Sequence, residues 1–333
     1  MPLGRITPNR RTLLGSAAAL LAAPVLLKGA TAEAKAPLLG PQATTFYRFR
    51  LGEFEITNIL DASVMIDGPW PIVGEDRPAA EVEQLMQANL LPPKRFRPGF
   101  TPTLVNTGSQ LILFDTGNGE AGFVPPPVGG WLAKALGPAG FTPEQVDVVV
   151  LTHAHPDHMG GLLTGGKPAF PNARYVIGEK EYAYWKSGTS DSAPKDSNTY
   201  KSGQMFRTYV QPLSESMSFL KSEGEVATGI RAVEAHGHTP GHLAFHIESN
   251  GKRLLLWGDC AHHEVASLAK PEWHALFDMD KEQGAATRKR IYDMAATERI
   301  AVAAYHTSFP SVGFVERDGT AYRWLPVTYQ LEL

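Results

Sequence analysis

A chain of 333 residues, 43% hydrophobic and 20% charged, carries enough apolar material for one large core. No period of 20–50 residues repeats along it, which excludes solenoids and propellers. A formal charge of −3 without basic runs excludes nucleic acid and anionic membrane surfaces as natural partners. Cys260 is the only cysteine, so no intramolecular disulfide helps to hold the fold.

The first 36 residues differ from the rest. Arg10-Arg11 directly precedes an apolar run, residues 13–27, and Ala32-Glu33-Ala34 or Ala34-Lys35-Ala36 offers a small-residue cleavage site. This is the layout of a secretory signal, and the twin arginine predicts export by the Tat route to the periplasm or beyond. Fifteen mostly small residues broken by Pro24 fall short of the roughly 20 needed to span a bilayer, so no stable membrane insertion is expected. Residues 37–333 are then read as one catalytic domain.

From Phe46 the pattern alternates. Residues 46–51 and 54–60 read as a hairpin turning at Gly52-Glu53, and 103–107 with 110–115 as a second one around Gly108-Ser109. Helices are predicted over 79–90, 131–136, 179–186 and 280–297. Residues 147–152 form a continuous apolar run, the pattern of a strand covered on both faces. Further strands are expected at 174–177, 231–234, 244–248, 253–257 and 300–305, and the polar stretch 187–203 is read as a mobile loop. Strand-rich halves that each also carry helices predict an α/β fold, two facing mixed sheets with helices outside: an αβ/βα sandwich.

The buried strand ends in His153-Ala154-His155-Pro156-Asp157-His158. Extended chain places His153 and His155 on the same side, and a turn after Pro156 swings Asp157 and His158 toward them. Three imidazoles and a carboxylate in six residues offer the nitrogen and oxygen donors that zinc and similar divalent ions take. Three more candidates stand where later apolar runs reach their loops: His238, Asp259 and His306. An ionised Asp259 at the end of Leu255-Leu256-Trp257-Gly258 is costly unless it is paired or on a metal. His262-His263, close behind Asp259, remain an alternative ligand pair. Asp115, Thr152 and His242 are candidates for orienting the imidazoles, and Cys260 is read as a small packed side chain.

His153-x-His155-x-Asp157-His158, followed in order by His238, Asp259 and His306, resembles the ligand signature of the metallo-β-lactamase superfamily. Within it the likeness is nearest to the methyl parathion hydrolases and related lactonases. The segments that carry it are residues 47–57, 104–117, 145–161, 236–242 and 305–313. The resemblance implies two divalent metal ions, zinc before manganese, cobalt or iron. One would take His153, His155 and His238, the other Asp157, His158 and His306, with Asp259 bridging. It also implies a shared water whose pKa falls from near 16 toward about 7, giving a hydroxide that attacks an ester-like bond. Asp157 and Asp259 are then the acidic residues nearest the chemistry.

Loop aromatics point to an apolar pocket for a small hydrophobic substrate: a lactone, an aryl ester or an organophosphate triester. Phe123 and Trp185 resemble residues that line the leaving-group pocket of the methyl parathion hydrolases, and Tyr200 is a third candidate. A β-lactamase or a thioester hydrolase of the same fold is the alternative, and an iron-dependent oxidoreductase a more distant one, since flavin-partnered di-iron members carry glutamate where this chain has His155. Self-association as a homodimer is left open.

Overall fold

Val148 and Val150 face one way, Val149 and Leu151 the other, and all four are buried; the sandwich is built around that alternation. The computed structural model describes residues 44–327 and 331–333. The proposed export signal lies outside the described residues. A seven-stranded sheet runs in chain order through β1 (Phe46–Leu51), β2 (Phe54–Ile59), β3 (Thr103–Asn106), β4 (Leu111–Phe114), β5 (Val148–Leu151), β6 (Arg174–Gly178) and β7 (Met217–Leu220). A second contains β8 (Glu225–Ala227), β9 (Ile230–Glu234), β10 (Leu243–Ser249), β11 (Lys252–Leu256), β12 (Ala301–Ala303), β13 (Val312–Asp318) and β14 (Ala321–Pro326). Both are mixed. β4, β5, β6 and β7 run parallel, as do β11 and β12, and the other neighbours are antiparallel.

The helices are α1 (Ala79–Ala88), α2 (Leu132–Leu136), α3 (Pro156–Met159), α4 (Glu179–Lys186), α5 (Asn198–Tyr209), α6 (Ala266–Ala269) and α7 (Lys281–Glu298). Between the sheets, Phe49, Ile56, Ile112, Phe114 and Val150 meet Ile230, Phe245, Ile247 and Leu254, with the Phe114 and Phe245 rings 4.9 Å apart. The outer face of the first sheet is covered by Leu132, Leu136, Tyr182, Trp185 and Phe206 from α2, α4 and α5. Ile291, Tyr292 and Ala295 of α7 cover the second against Leu255, Trp257 and Val302. Each such side chain withdrawn from water is worth about 1.5–3 kcal/mol. No helix among the described residues is long and apolar enough to cross a membrane.

The expectation for residues 187–203 needs correction. A 3₁₀ turn occupies Thr189–Ser192 and α5 begins at Asn198, where the Ser197 side chain accepts the Tyr200 backbone N–H. Polar composition hid a helix that buries only Ser202, Gly203 and Phe206. The strands β7, β8, β13 and β14 were also absent from the sequence reading; β7 and β14 are half exposed and lack a clean apolar alternation.

Candidate metal centre

Four segments deliver polar side chains to one rim of the sandwich. His153–His158 follows β5, the turn holding His238 and His242 joins β9 to β10, Asp259 follows β11, and His306 follows β12. The Leu243 N–H donates to the Thr152 carbonyl at 3.0 Å, tying the two sheets together at this point. The seven predicted ligands converge. His155 Nδ1 lies 3.1 Å from His153 Nε2 and 2.9 Å from His238 Nε2, and Asp259 Oδ2 is 3.3 Å from His238 Nε2. On the other side His158 Nε2 is 3.5 Å from Asp157 Oδ2 and 3.1 Å from Asp259 Oδ1. His306 Nε2 stands 3.4 Å from Asp157 Oδ2 and 3.1 Å from Asp259 Oδ2. The donor atoms fall into two groups, His153/His155/His238/Asp259 and Asp157/His158/His306, each spanning no more than 4.8 Å. Asp259 faces both.

What surrounds the ligands fixes which atoms they present. Asp115 Oδ2 takes His158 Nδ1–H at 2.8 Å, Asp278 Oδ1 takes His238 Nδ1–H at 2.9 Å, and the Gly99 carbonyl takes His306 Nδ1–H at 2.8 Å. Thr152 donates its hydroxyl to Asp115 at 2.9 Å, leaving its oxygen to accept from His153 Nδ1 at 3.0 Å. In the neutral rings the proton therefore sits on Nδ1, and four Nε2 lone pairs point at a common centre. His158 Nε2 and Asp259 Oδ1 are buried there without a hydrogen-bond partner. A set of inward lone pairs, including the buried and unpaired His158 Nε2 and Asp259 Oδ1, fits divalent cations.

Burial and the neighbouring charges act differently on the separate donors. Burial opposes a charge on His238, but its hydrogen bonds to Asp259 and Asp278 outweigh that and push its pKa up to about 9. Burial likewise works against a charged Asp259, yet the His306 and His158 imidazoles hold its carboxyl well below the usual range. Burial dominates at His153 and His155 and keeps both well below the ordinary imidazole value.

Asp115 and Thr152, expected from sequence to orient the imidazoles, hydrogen-bond to His158 and His153 respectively, and Asp115 does so from a left-handed backbone, φ +59°. His242 accepts the Asp259 backbone N–H at 3.2 Å while its Nδ1–H donates to the Ala235 carbonyl at 2.9 Å, and burial pushes its pKa down to about 3. Gly258 is required beside it: a Cβ there would stand 2.4 Å from His242 Nε2, and the backbone φ is +54°. The rival pair divides. His263 Nδ1 accepts the Val265 and Ala266 N–H groups at the start of α6, a structural cap. His262 is buried over His306, rings 5.9 Å apart and 14° from parallel, with neither ring nitrogen hydrogen-bonded and Nε2 3.8 Å from Asp259. Cys260 is buried and its thiol pKa is pushed up by burial, so it is a packed side chain. Asp278 and Glu181 were missed. Neither belongs to a ligand motif, and only the folded chain brings them to the imidazole loops.

A cavity opens over the cluster, with His155, Asp157, Asp259 and His306 at its floor. Its walls are Ile66, Ile72, Phe96, Pro98, Phe100, Phe123 and Phe277, with Asn198, Ser202 and His262 as polar interruptions. No lysine or arginine is among the described residues that line it. Phe123 stands in the wall as expected, half exposed. Trp185 does not: it is 0% exposed, donates its indole N–H to Glu181 at 2.7 Å, and packs behind His155 with ring centres 6.3 Å apart. Tyr200 is corrected too. It lies on α5, but the residues of that helix that line the cavity are Asn198 and Ser202.

Residues 101–299 match the sequence family described as the metallo-β-lactamase superfamily. The chain belongs to the metallo-β-lactamase superfamily. Among its relatives, the N-acyl homoserine lactonase AttM of Agrobacterium fabrum is 32% identical over 135 residues, 39% of this chain and 45% of that protein. The uncharacterized protein YobT of Bacillus subtilis is 32% identical over 111 residues, 33% of this chain and 44% of that one. The chain thus aligns with less than half the length of either. The dizinc quorum-quenching lactonase AidC superposes with a TM-score of 0.79 at 24% identity, covering 86% of this chain and 98% of that one. The hydrolase AbOPH of the β-lactamase superfamily gives the same TM-score at 25% identity, covering 87% and 100%. These likenesses carry the superfamily and its fold, and they do not single out the methyl parathion hydrolases within it.

Proposed function

We propose that the protein is a dinuclear metal-dependent hydrolase of small, uncharged, largely apolar esters, with lactones as the leading class and aryl esters or phosphotriesters as secondary substrates. The observation that carries this reading is the seven-ligand cluster on the floor of a phenylalanine-walled cavity. His153, His155, His238 and Asp259 on one side, and Asp157, His158 and His306 on the other, would hold two divalent cations, which would supply the Lewis acidity that activates water and polarises the scissile carbonyl. The chain does the rest. Asp115, Thr152, Asp278 and the Gly99 carbonyl hold the imidazoles in the required tautomer and orientation. Phe100, Phe123 and Phe277 exclude water and take the apolar part of the substrate, the Phe100 and Phe123 rings lying 6.4 Å apart and nearly parallel.

The cavity wall also selects. β-Lactams carry a carboxylate, and glutathione thioesters carry two, and no lysine or arginine among the described residues that line the cavity is there to pair with either. The twin-arginine leader motif supports a periplasmic or secreted location for the reaction. The test is a substrate panel on the zinc- or manganese-loaded protein: lactones, aryl esters, phosphotriesters and a β-lactam. The kcat/KM for a neutral hydrophobic lactone is expected to exceed that for the β-lactam by at least about 100-fold, about 3 kcal/mol in transition-state binding. A preference for the β-lactam would overturn the assignment.

A further inference from the structure

Glu181 is a buried carboxyl group outside the ligand set. It sits in the first turn of α4, is 0% exposed, and forms no ion pair with any of the described residues. Four neutral donors satisfy it. One oxygen accepts the Ala154 N–H at 2.9 Å and the Trp185 indole N–H at 2.7 Å; the other accepts the Thr239 hydroxyl at 2.7 Å and the Gly241 N–H at 2.9 Å. Ala154 lies between the ligands His153 and His155. Thr239 follows the ligand His238, and Gly241 precedes His242. One carboxylate thus joins the two loops that carry one group of ligands, loops 58–60 residues from α4 on one side and 27 on the other.

Two further features give this junction a set spacing. A Cβ on Gly241 would stand 2.1 Å from the Glu181 backbone nitrogen, so the loop and the helix touch with no room between them. Trp185, anchored to the same carboxylate, packs behind His155. An apolar residue of equal size would avoid the cost of burying a carboxylate without a cation, but would orphan the Ala154 and Gly241 N–H groups beside the ligands. The second ligand group, Asp157/His158/His306, has no hydrogen bond to Glu181 among those the structure shows. Its positioning contacts run instead through Asp115, Gly99 and Tyr305, whose hydroxyl donates to the Asp157 carbonyl at 2.5 Å.

We propose that Glu181 is a positioning residue for the metal centre, fixing the distance between the His153–His155 segment and the His238 turn and so setting the affinity of that ligand group alone. The inference rests on the dinuclear reading above. It is tested on the full-length protein by zinc competition against a chromogenic chelator, with circular dichroism and thermal melting of the metal-free protein as the control for folding. Wild type is expected to release zinc in two steps, and His155→Ala and His306→Ala mark which step belongs to which group. Glu181→Gln, whose amide nitrogen cannot accept two of the four hydrogen bonds, is expected to weaken the His155-marked step tenfold or more and leave the His306-marked step within twofold. Glu181→Gln added to His155→Ala has little further effect, whereas added to His306→Ala it has its full effect. A folded Glu181→Gln protein that holds both zinc ions as wild type does, or that loses both in equal measure, overturns the proposal. Should Glu181→Gln fail to fold, Thr239→Val removes a single contact and decides by the same selectivity. A wild-type protein that binds no zinc sinks the dinuclear reading itself, a result distinct from any of these.

Discussion

Asp278 shows how much of the metal centre depends on residues outside the ligand motif. Its Oδ1 holds His238 in the Nδ1–H tautomer, and its Oδ2 accepts from Arg288 Nη1 at 2.6 Å in a pair that is 3% and 0% exposed. Burial alone would raise its pKa, but Arg288 and His238 outweigh that and hold it well below the ordinary carboxylate value. Asp278→Asn is expected to weaken zinc binding by about 10–100-fold, the usual effect of losing a carboxylate behind a ligating imidazole. It also strands a buried guanidinium, so unfolding stability falls by about 3–5 kcal/mol. Chelator competition and urea unfolding measure the two effects, and wild-type zinc affinity in the variant would contradict the role. The seven candidate ligands could be read in the sequence because each is an unusual residue type near the end of an apolar run. Asp278 and Glu181 could not: an acid near a helix start reads as a cap or a solvated charge, and only tertiary packing makes it a partner.

At the scale of elements, the strands that carry ligands were the easiest to read and the segments that wall the cavity the hardest. Val148–Leu151 announces itself by four consecutive buried apolar residues. α5 does not, because its cavity-facing side is Asn198 and Ser202 rather than a continuous apolar stripe. For the same reason Trp185, an obvious pocket aromatic by its type, belongs to the core behind the site. α6 offers a prediction of its own. Burial pushes the pKa of His263 down to about 4 from an ordinary 6.5, and its neutral Nδ1 caps the helix. A histidine with a depressed folded pKa contributes stability that is complete above pH 6.5 and declines as pH falls toward 4, because the unfolded chain takes up the proton first. The contribution amounts to about 3 kcal/mol at most. His263→Asn keeps an acceptor for the cap and removes the titration. The wild-type stability, measured relative to this variant, should therefore fall between pH 6.5 and 4. Parallel curves over that interval would contradict the assignment.

For the whole molecule, the two sheets place four chain segments at one rim, α2, α4, α5 and α7 cover the outer faces, and the single turn of α3 stands at the rim with Asp157 and His158. That arrangement leaves the rim free to carry ligands on the floor and aromatic loops above. The sandwich was legible from strand-rich halves, each with its own helices. The cavity's composition followed only in part, since Phe100, Phe123 and Phe277 come from loops, and Phe96 from a two-residue strand, whose paths no periodicity predicts. The most direct test is metal content measured with hydrolysis on the same sample. The protein should hold two divalent cations per chain, lose lactone hydrolysis as a chelator removes them, and regain it when zinc or manganese is returned. Metal-free protein that hydrolyses the lactone at the full rate would contradict the central claim.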